Sequence, residues 1–455
     1  MAINKYNMDM CKGAIGIKMI RFAIPLALTY VLQLTFHAAD LMIIGRFGSA
    51  ESMASIGTTM DLNTLLVNLL VGISIGTNVL TAQYYGAKDS KKVNRTIHTS
   101  IAFAIYGGLV FAVAGFLFCK PVLQMMNVPE DILPKSTIYM RLLFIGFPCA
   151  LLYNYGCAVL RAVGDTSRPL IFLTISGIVN VVLNLLFVIV FRWDVVGVAI
   201  ATILSQVLSA YLVLNALTKM RGACRLVFRL IRLDFQVLKE VLYMGVPAGL
   251  QGSMFALSNV IIQRAVNTFG SAAMAGITAT VCLEWIIYSG VYACQQTCTA
   301  FVGQNYGGGK RLRIIRCVFW GFGIATAVSL FLGGTMLFSG ESLIRLFNTD
   351  PEVIQWGMKR VKIAFILYFI CGWMDVTSGS LRGLGYSILP TAVVLLGVCF
   401  FRIGWITFVF PRFPQIETLI WAFPISWTIT TITEAVFLFF ILKGLRTKFA
   451  TITLK

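Results

Sequence analysis

Charged side chains are scarce in this sequence. Only 12% of its 455 residues are Asp, Glu, Lys or Arg, about half the share of an ordinary soluble domain, whereas 58% are apolar and the mean hydropathy is +0.84. A water-soluble globule of this composition would lack the polar residues to cover its surface. That excludes a soluble enzyme, a disordered regulator and a disulfide-stapled secreted module. Acidic residues are rarer still, 18 against 37 Lys and Arg, leaving a net charge of +19. Histidine occurs only at His37 and His98, so no metal centre is expected. The eleven Cys are scattered, mostly inside apolar runs (Cys119, Cys149, Cys157, Cys282, Cys371, Cys399), where Cys behaves as a small hydrophobe. Cys294 and Cys298, four apart on a helical run, read as packing. Ile15–Leu34 is interrupted by Lys18 and Arg21 and is followed by no small-residue cleavage site, so a first span is expected there, not a removable signal.

Long apolar runs are abundant. A helix crossing a bilayer needs about 20 mainly apolar residues, and twelve such windows can be counted, from about 18–40 to about 417–442. No interval between them could hold a soluble domain. The longest polar stretch, 218–238, carries Lys219, Arg221, Arg225, Arg229 and Arg232 and reads as a linker between halves 1–217 and 239–455. Cytoplasmic loops of membrane proteins are enriched in Lys and Arg. With alternate connections assigned to alternate sides, 25 of the 37 fall on the side of both termini, which predicts cytoplasmic ends in an inner (plasma) membrane. The basic excess is therefore read as membrane anchoring, and no nucleic-acid partner is expected.

The halves repeat at a shift of 221 residues. Met53, Ala54, Ile56 and Thr59 fall on Met274, Ala275, Ile277 and Thr280; Gln83, Tyr85 and Gly86 fall on Gln304, Tyr306 and Gly307. Leu160, Arg161, Gly164 and Pro169 fall on Leu381, Arg382, Gly385 and Pro390, and Pro25 matches Pro247 with one residue of slippage. Apolar bias cannot produce matched Gln, Arg, Gly and Pro. Six spans per repeat make both halves enter from the same side, which predicts an all-α polytopic membrane protein of twelve transmembrane helices. These form two six-helix lobes related by a pseudo-two-fold axis along the membrane normal, with a substrate cavity between them.

No nucleotide machinery is visible. Gly307-Gly308-Gly309-Lys310 is followed by Arg311 and lacks the leading Gly of a phosphate loop. The first half carries Ala39-Asp40-Leu41-Met42-Ile43-Ile44-Gly45-Arg46-Phe47-Gly48, Ala82-Gln83-Tyr84-Tyr85-Gly86-Ala87 and Leu160-Arg161-Ala162-Val163-Gly164-Asp165. The second carries Val302-Gly303-Gln304-Asn305-Tyr306-Gly307 and Leu381-Arg382-Gly383-Leu384-Gly385. In this order, on twelve spans in two repeats, the pattern resembles the multidrug and toxic compound extrusion (MATE) family over essentially the whole chain. The resemblance implies alternating access and efflux of organic cations or drugs against an inward H⁺ or Na⁺ gradient. The Gln-Tyr-Gly and Leu-Arg-Gly boxes read as scaffold, with Gly permitting a turn and Arg capping carbonyls or meeting headgroups. Pro25 and Pro247 each remove a backbone bond and kink a first-of-lobe helix; the resemblance adds a gating role for bending of the first span.

An ionisable side chain near the bilayer centre costs on the order of 2.5–3.5 kcal/mol on insertion scales, so buried charges carry the functional signal. Asp40 matches the family's first-span carboxylate, implicated in binding the coupling ion. Asn180 and Asn184, one turn apart on the fifth span, match the family's Asn-x-x-x-Asp pair, and Thr202 on the sixth matches its Thr ligand. Here the acidic member is Asn184, which offers a carbonyl oxygen and does not titrate. The second half holds Glu284, Asp375, Arg402 and Glu434 in its eighth, tenth, eleventh and twelfth spans, and Phe255 stands near the place where some family members carry a seventh-span Glu. Glu284 and Asp375 are read as proton- or substrate-binding groups beside Arg402, or else as a packing network around it. Trp285, Tyr288, Tyr292, Trp373 and Trp405 could stack an organic cation.

The expected activity is secondary antiport of organic cations or drugs in exchange for H⁺ or Na⁺ by a monomer in the bilayer, with no cofactor and no enzymatic chemistry. A flippase for a lipid-linked saccharide is the alternative, though it would call for a more cationic cavity. Topology gives the first test. In a cysteine-free background, Arg225→Cys should react with an impermeant maleimide only from the cytoplasmic face; labelling of intact cells from outside would reverse the orientation.

Overall fold

The computed structural model describes residues 8–453, so the extreme chain ends lie outside it. The described chain is almost wholly helical, as hydrocarbon demands: without water, every backbone N–H and C=O must be satisfied within its own segment. In chain order the helices are α1 (Ile15–Phe47), α2 (Ala50–Gly86), α3 (Ser90–Met125), α4 (Leu133–Ala162), α5 (Ser167–Leu185), α6 (Asp194–Thr218) and α7 (Phe235–Val266). They continue with α8 (Ser271–Gly307), α9 (Arg311–Arg345), α10 (Pro351–Arg360), α11 (Tyr368–Gly383), α12 (Ile388–Val394), α13 (Phe401–Gly404) and α14 (Ile416–Thr453). Among the described residues eleven runs are long and apolar enough to cross a bilayer, and the pair Pro351–Phe365 and Tyr368–Gly383, bent by 48°, makes a twelfth. Wide π turns interrupt several spans: Leu186–Val190 after α5, Val361–Phe365 after α10, and Leu395–Phe400 and Trp405–Val409 on either side of α13.

The Leu-Arg-Gly boxes end α4 and α11 in the same way. Gly164 and Gly385 both take a left-handed φ of 95°. In each the following N–H folds back onto the box leucine, Asp165 to the Leu160 carbonyl at 2.9 Å and Tyr386 to that of Leu381 at 3.0 Å. These bonds satisfy carbonyls that a helix end would leave unpaired, and a Cβ would strain the turn.

The chain forms two compact units. The first contains Leu28–Tyr85 and Asp89–Val246; the second contains Asp9–Ala27, Gly86–Lys88 and the chain from Pro247 onward. Helices α1 and α7 are each divided between the units, at or within three residues of their internal prolines, Pro25 and Pro247. The basic linker belongs to the first unit and is docked, not free. Cys224 and Leu226 are buried in a cluster with Val93 and Ile97 of α3. His98 accepts from the Val227 N–H at 3.1 Å while its other ring nitrogen meets the Asn94 carbonyl at 2.8 Å, which a neutral imidazole satisfies on both sides. Arg95 grips Asp234, and that bond holds the half-buried carboxyl below its usual range.

Close helix approach rests on small residues, as in other bilayer proteins. A Cβ on Gly76 of α2 would collide with the Val241 carbonyl of α7, and one on Gly245 with the backbone of Ile73. Gly76→Leu or Gly245→Leu should therefore cost at least about 1–3 kcal/mol by overpacking. Gly323→Leu, where a Cβ meets nothing within 4 Å, should leave the melting temperature of detergent-purified protein near wild type. Equal melting of all three would show that these contacts do not hold the helices together.

Candidate functional site

In the first unit, Gly177 of α5 sets the spacing of the site. A side chain there would strike the Phe36 ring of α1, so its absence lets the two helices touch. One turn beyond Phe36 comes Asp40, and two turns beyond Gly177 comes Asn184. The Asn184 amide donates to Asp40 Oδ1 at 2.5 Å and to Asn180 Oδ1 at 3.2 Å. Asn180 and Asn184 are buried, and the Asn184 Oδ1 atom has no protein hydrogen-bond partner. No cation pairs with Asp40 among the described residues. Tyr139 of α4 lies within electrostatic reach of the carboxylate. Directly after Asn184 the helix widens into the Leu186–Val190 π turn, a feature concentrated at functional sites. A cavity of about 270 Å³ is lined by Val188 and Ile189 of this turn together with Phe47, Ser49, Arg192 and Asp194. Thr202, grouped with these residues from sequence, donates to its own helix at the Val198 carbonyl (2.9 Å).

The second unit divides its charges into two clusters. Glu284 of α8 pairs with Arg360, whose Nη2 donates at 2.5 Å and Nε at 3.2 Å to the same oxygen. Arg402 of α13 instead donates to the Ser426 hydroxyl of α14 at 3.0 Å. Its guanidinium lies 4.1 Å from the centre of the Phe423 ring, and Arg360 lies 4.6 Å from the same centre. The other cluster joins Asp375, which accepts from Gln295 at 3.1 Å, with Glu434, which accepts from Ser378 at 2.7 Å. Arg382 of the second Leu-Arg-Gly box is buried near both and donates to Gln251 at 2.6 Å. Asp375 Oδ2, Glu434 Oε2 and Gln295 Oε1 are buried without a protein partner.

Arg402 thus does not form an ion pair with Glu284 or Asp375, and the network read from sequence around it is two networks. Arg360 went unread because it ends a short polar stretch, Met358-Lys359-Arg360, that looks like a loop edge. Its pairing with mid-span Glu284 becomes visible only once α10 packs against α8. The aromatic residues are largely committed: Trp373 donates to Thr326 at 2.8 Å, Trp405 to the Thr418 carbonyl at 2.9 Å, and Tyr288 stacks on Tyr292.

Twelve spans in which buried carboxylates meet amides and arginines deep in the helices, without a nucleotide site, define a polytopic membrane transporter. The MatE family model matches residues 25–186 and 247–405, and the chain belongs to the MatE family. It is 25% identical over 422 residues to the probable multidrug resistance protein YoeA of Bacillus subtilis, covering 90% of this chain and 89% of that one. With the probable multidrug resistance protein YpnP of the same organism the identity is 28% over 378 residues, covering 83% and 84%. The fold matches that of a multidrug resistance MATE transporter of the MOP superfamily in an outward-facing conformation. The TM-score is 0.91 at 17% identity, over 98% of this chain and 100% of that one.

Side chains of Arg360 and Glu284 are only 6% and 14% exposed. Removing one member of such a pair strands the other charge, at a cost of about 3–5 kcal/mol. Arg360→Gln should therefore unfold at markedly lower temperature than wild type, and the double variant Arg360→Gln/Glu284→Gln should recover part of the loss. A double variant no better than Arg360→Gln would mean the pair contributes no coupling.

Proposed function

We propose that this MatE transporter is a secondary antiporter that exports organic cations or drugs in exchange for H⁺ or Na⁺, with Asp40 as the coupling carboxylate. The observation that supports this most is the Asp40–Asn184–Asn180 chain: a carboxylate inside a span whose partners are neutral amides. A half-buried charge inside a span without a counter-ion is retained mainly where it works, and a proton or a bound monovalent cation would neutralise Asp40 directly. Asn180 and Asn184 offer oxygens but no charge, so the site is limited to one positive charge at a time. The names borne by YoeA and YpnP, each a probable multidrug resistance protein, agree with drug export.

Alternating access then needs the two ions to compete or alternate. Exchange of one H⁺ for one monovalent cation moves no net charge, so the membrane potential does not assist. Each pH unit supplies about 1.4 kcal/mol, roughly a tenfold gradient. Hinges for the motion are available where α1 and α7 pass from one unit to the other beside Pro25 and Pro247, since proline removes a backbone bond and weakens the helix there. Glu284, Asp375 and Arg402 act in this reading as the second unit's charged groups for substrate or proton.

Inside-out vesicles separate the possibilities. Wild type should accumulate ethidium when a pH gradient or a Na⁺ gradient is imposed alone, and whichever gradient drives uptake names the ion. Asp40→Asn should reduce that uptake at least about tenfold, the equivalent of some 1.4 kcal/mol, at equal amounts in the membrane. Wild-type uptake by Asp40→Asn under both gradients would remove Asp40 from the mechanism.

A further inference from the structure

The group around Phe423 in the second unit has an unbalanced charge. Arg360 and Arg402 both lie over this one ring, and both are buried. The single carboxylate among them, Glu284, hydrogen-bonds to Arg360. Arg402 hydrogen-bonds the neutral Ser426 hydroxyl, lies over the Phe423 and Trp427 rings and is within electrostatic reach of Glu284, but among the described residues it forms no ion pair. Asp375 and Glu434, the other buried carboxylates of the second unit, are bonded to Gln295 and Ser378 with Arg382 close by. The Arg360, Arg402 and Glu284 side chains therefore sum to one positive charge inside a span bundle, where an uncompensated guanidinium is costly.

The backbone around these arginines is also unusual. A π turn, Val361–Phe365, begins at the residue after Arg360, and π turns flank the four-residue α13 that carries Arg402. The helix bends by 48° directly after the first of them. Such wide turns are concentrated at functional sites. The internal repeat makes this region the counterpart of the first unit's site: at the shift of 221 residues Asn180 falls on Phe401 and Asn184 on Trp405, so Arg402 lies between their counterparts. A π turn follows Asn184 just as one starts at Trp405. Equivalent breaks in equivalent spans thus carry opposite polarity, a carboxylate with amides in one unit and a spare guanidinium in the other.

We propose that Arg402, with Arg360 and the Phe423 ring, forms an oxyanion subsite in the second unit that takes the carboxylate of an aromatic substrate. The inference rests on the transporter reading and extends its substrate class from cations to acids and zwitterions. A guanidinium fork binds a carboxylate through two parallel N–H···O bonds, and one carboxylate supplies the single negative charge the cluster lacks. A phosphate monoester, at about −1.5 to −2, would overshoot it. Half-buried Trp405 and exposed Phe408, three and six residues further along the chain from Arg402, are aromatic side chains that could receive the aromatic body.

The test uses the purified full-length protein in lipid nanodiscs and the fluorescence anisotropy of anthracene carboxylate, with empty nanodiscs subtracted. Wild type should bind the probe, benzoate should displace it, and benzylamine at equal concentration should not. Arg402→Gln should weaken probe binding at least about tenfold, as expected for the loss of a charge-assisted bidentate pair, and Arg402→Lys should fall between them. Circular dichroism and gel filtration report folding, and if Arg402→Gln is not monodisperse the wild-type competition decides alone. No specific binding by wild type, displacement by benzylamine as effective as by benzoate, or wild-type affinity in folded Arg402→Gln would each overturn the subsite. Ethidium uptake in vesicles would stand regardless of these results, so the failure of the subsite and the failure of the transporter reading are separable.

Discussion

Taking a carboxylate out of water costs more than any one packing contact returns, and the architecture around Asp40 follows from that cost. The charge is tolerated because Gly177 lets α1 and α5 approach until the Asn184 amide reaches it. The amide lowers the penalty without cancelling the charge. A lysine or arginine in that place would neutralise Asp40 permanently and leave it nothing to exchange. A neutral donor keeps the half-buried carboxylate available to exchange a cation, as the proposed coupling role requires.

The same cost organises the second unit, with different solutions. Glu284 is neutralised outright by Arg360, and Asp375 and Glu434 share the vicinity of Arg382 and are bonded through neutral Gln295 and Ser378. Arg360 stands where its span widens and Arg382 where α11 is capped, whereas Glu284, Asp375 and Glu434 lie within regular helix and meet their partners across helices.

Much of this was legible in the sequence. Apolar runs of the right length gave the spans, since the bilayer imposes a length on every crossing helix. The shift of 221 residues gave the repeat, and Gly164 and Gly385 confirm it in matching left-handed caps. Asp40, Asn180 and Asn184 could be grouped because the latter two share a helix face and the three occupy a family pattern, with Asn184 in place of its Asp. What escaped was pairing between helices far apart in the chain. Nothing in the spacing of Glu284, Asp375 and Arg402 says which neighbour each meets, and Arg360, hidden at the polar edge of a broken span, was the partner that rearranged them. Thr202 shows the converse: its position fits the pattern, yet its hydroxyl bonds to its own helix. A hydroxyl always has that local alternative in a span, and sequence alone cannot tell which it takes.

If Asp40 is the coupling carboxylate proposed above, its occupancy changes as the transporter works. Infrared difference spectroscopy on lipid-reconstituted protein reads this directly, through the carboxyl and carboxylate stretching bands that appear when pH or Na⁺ is stepped. A difference band present in wild type and missing in Asp40→Asn, with the rest of the spectrum retained, is the result the account predicts. Superimposable difference spectra from the two proteins under both steps would contradict it.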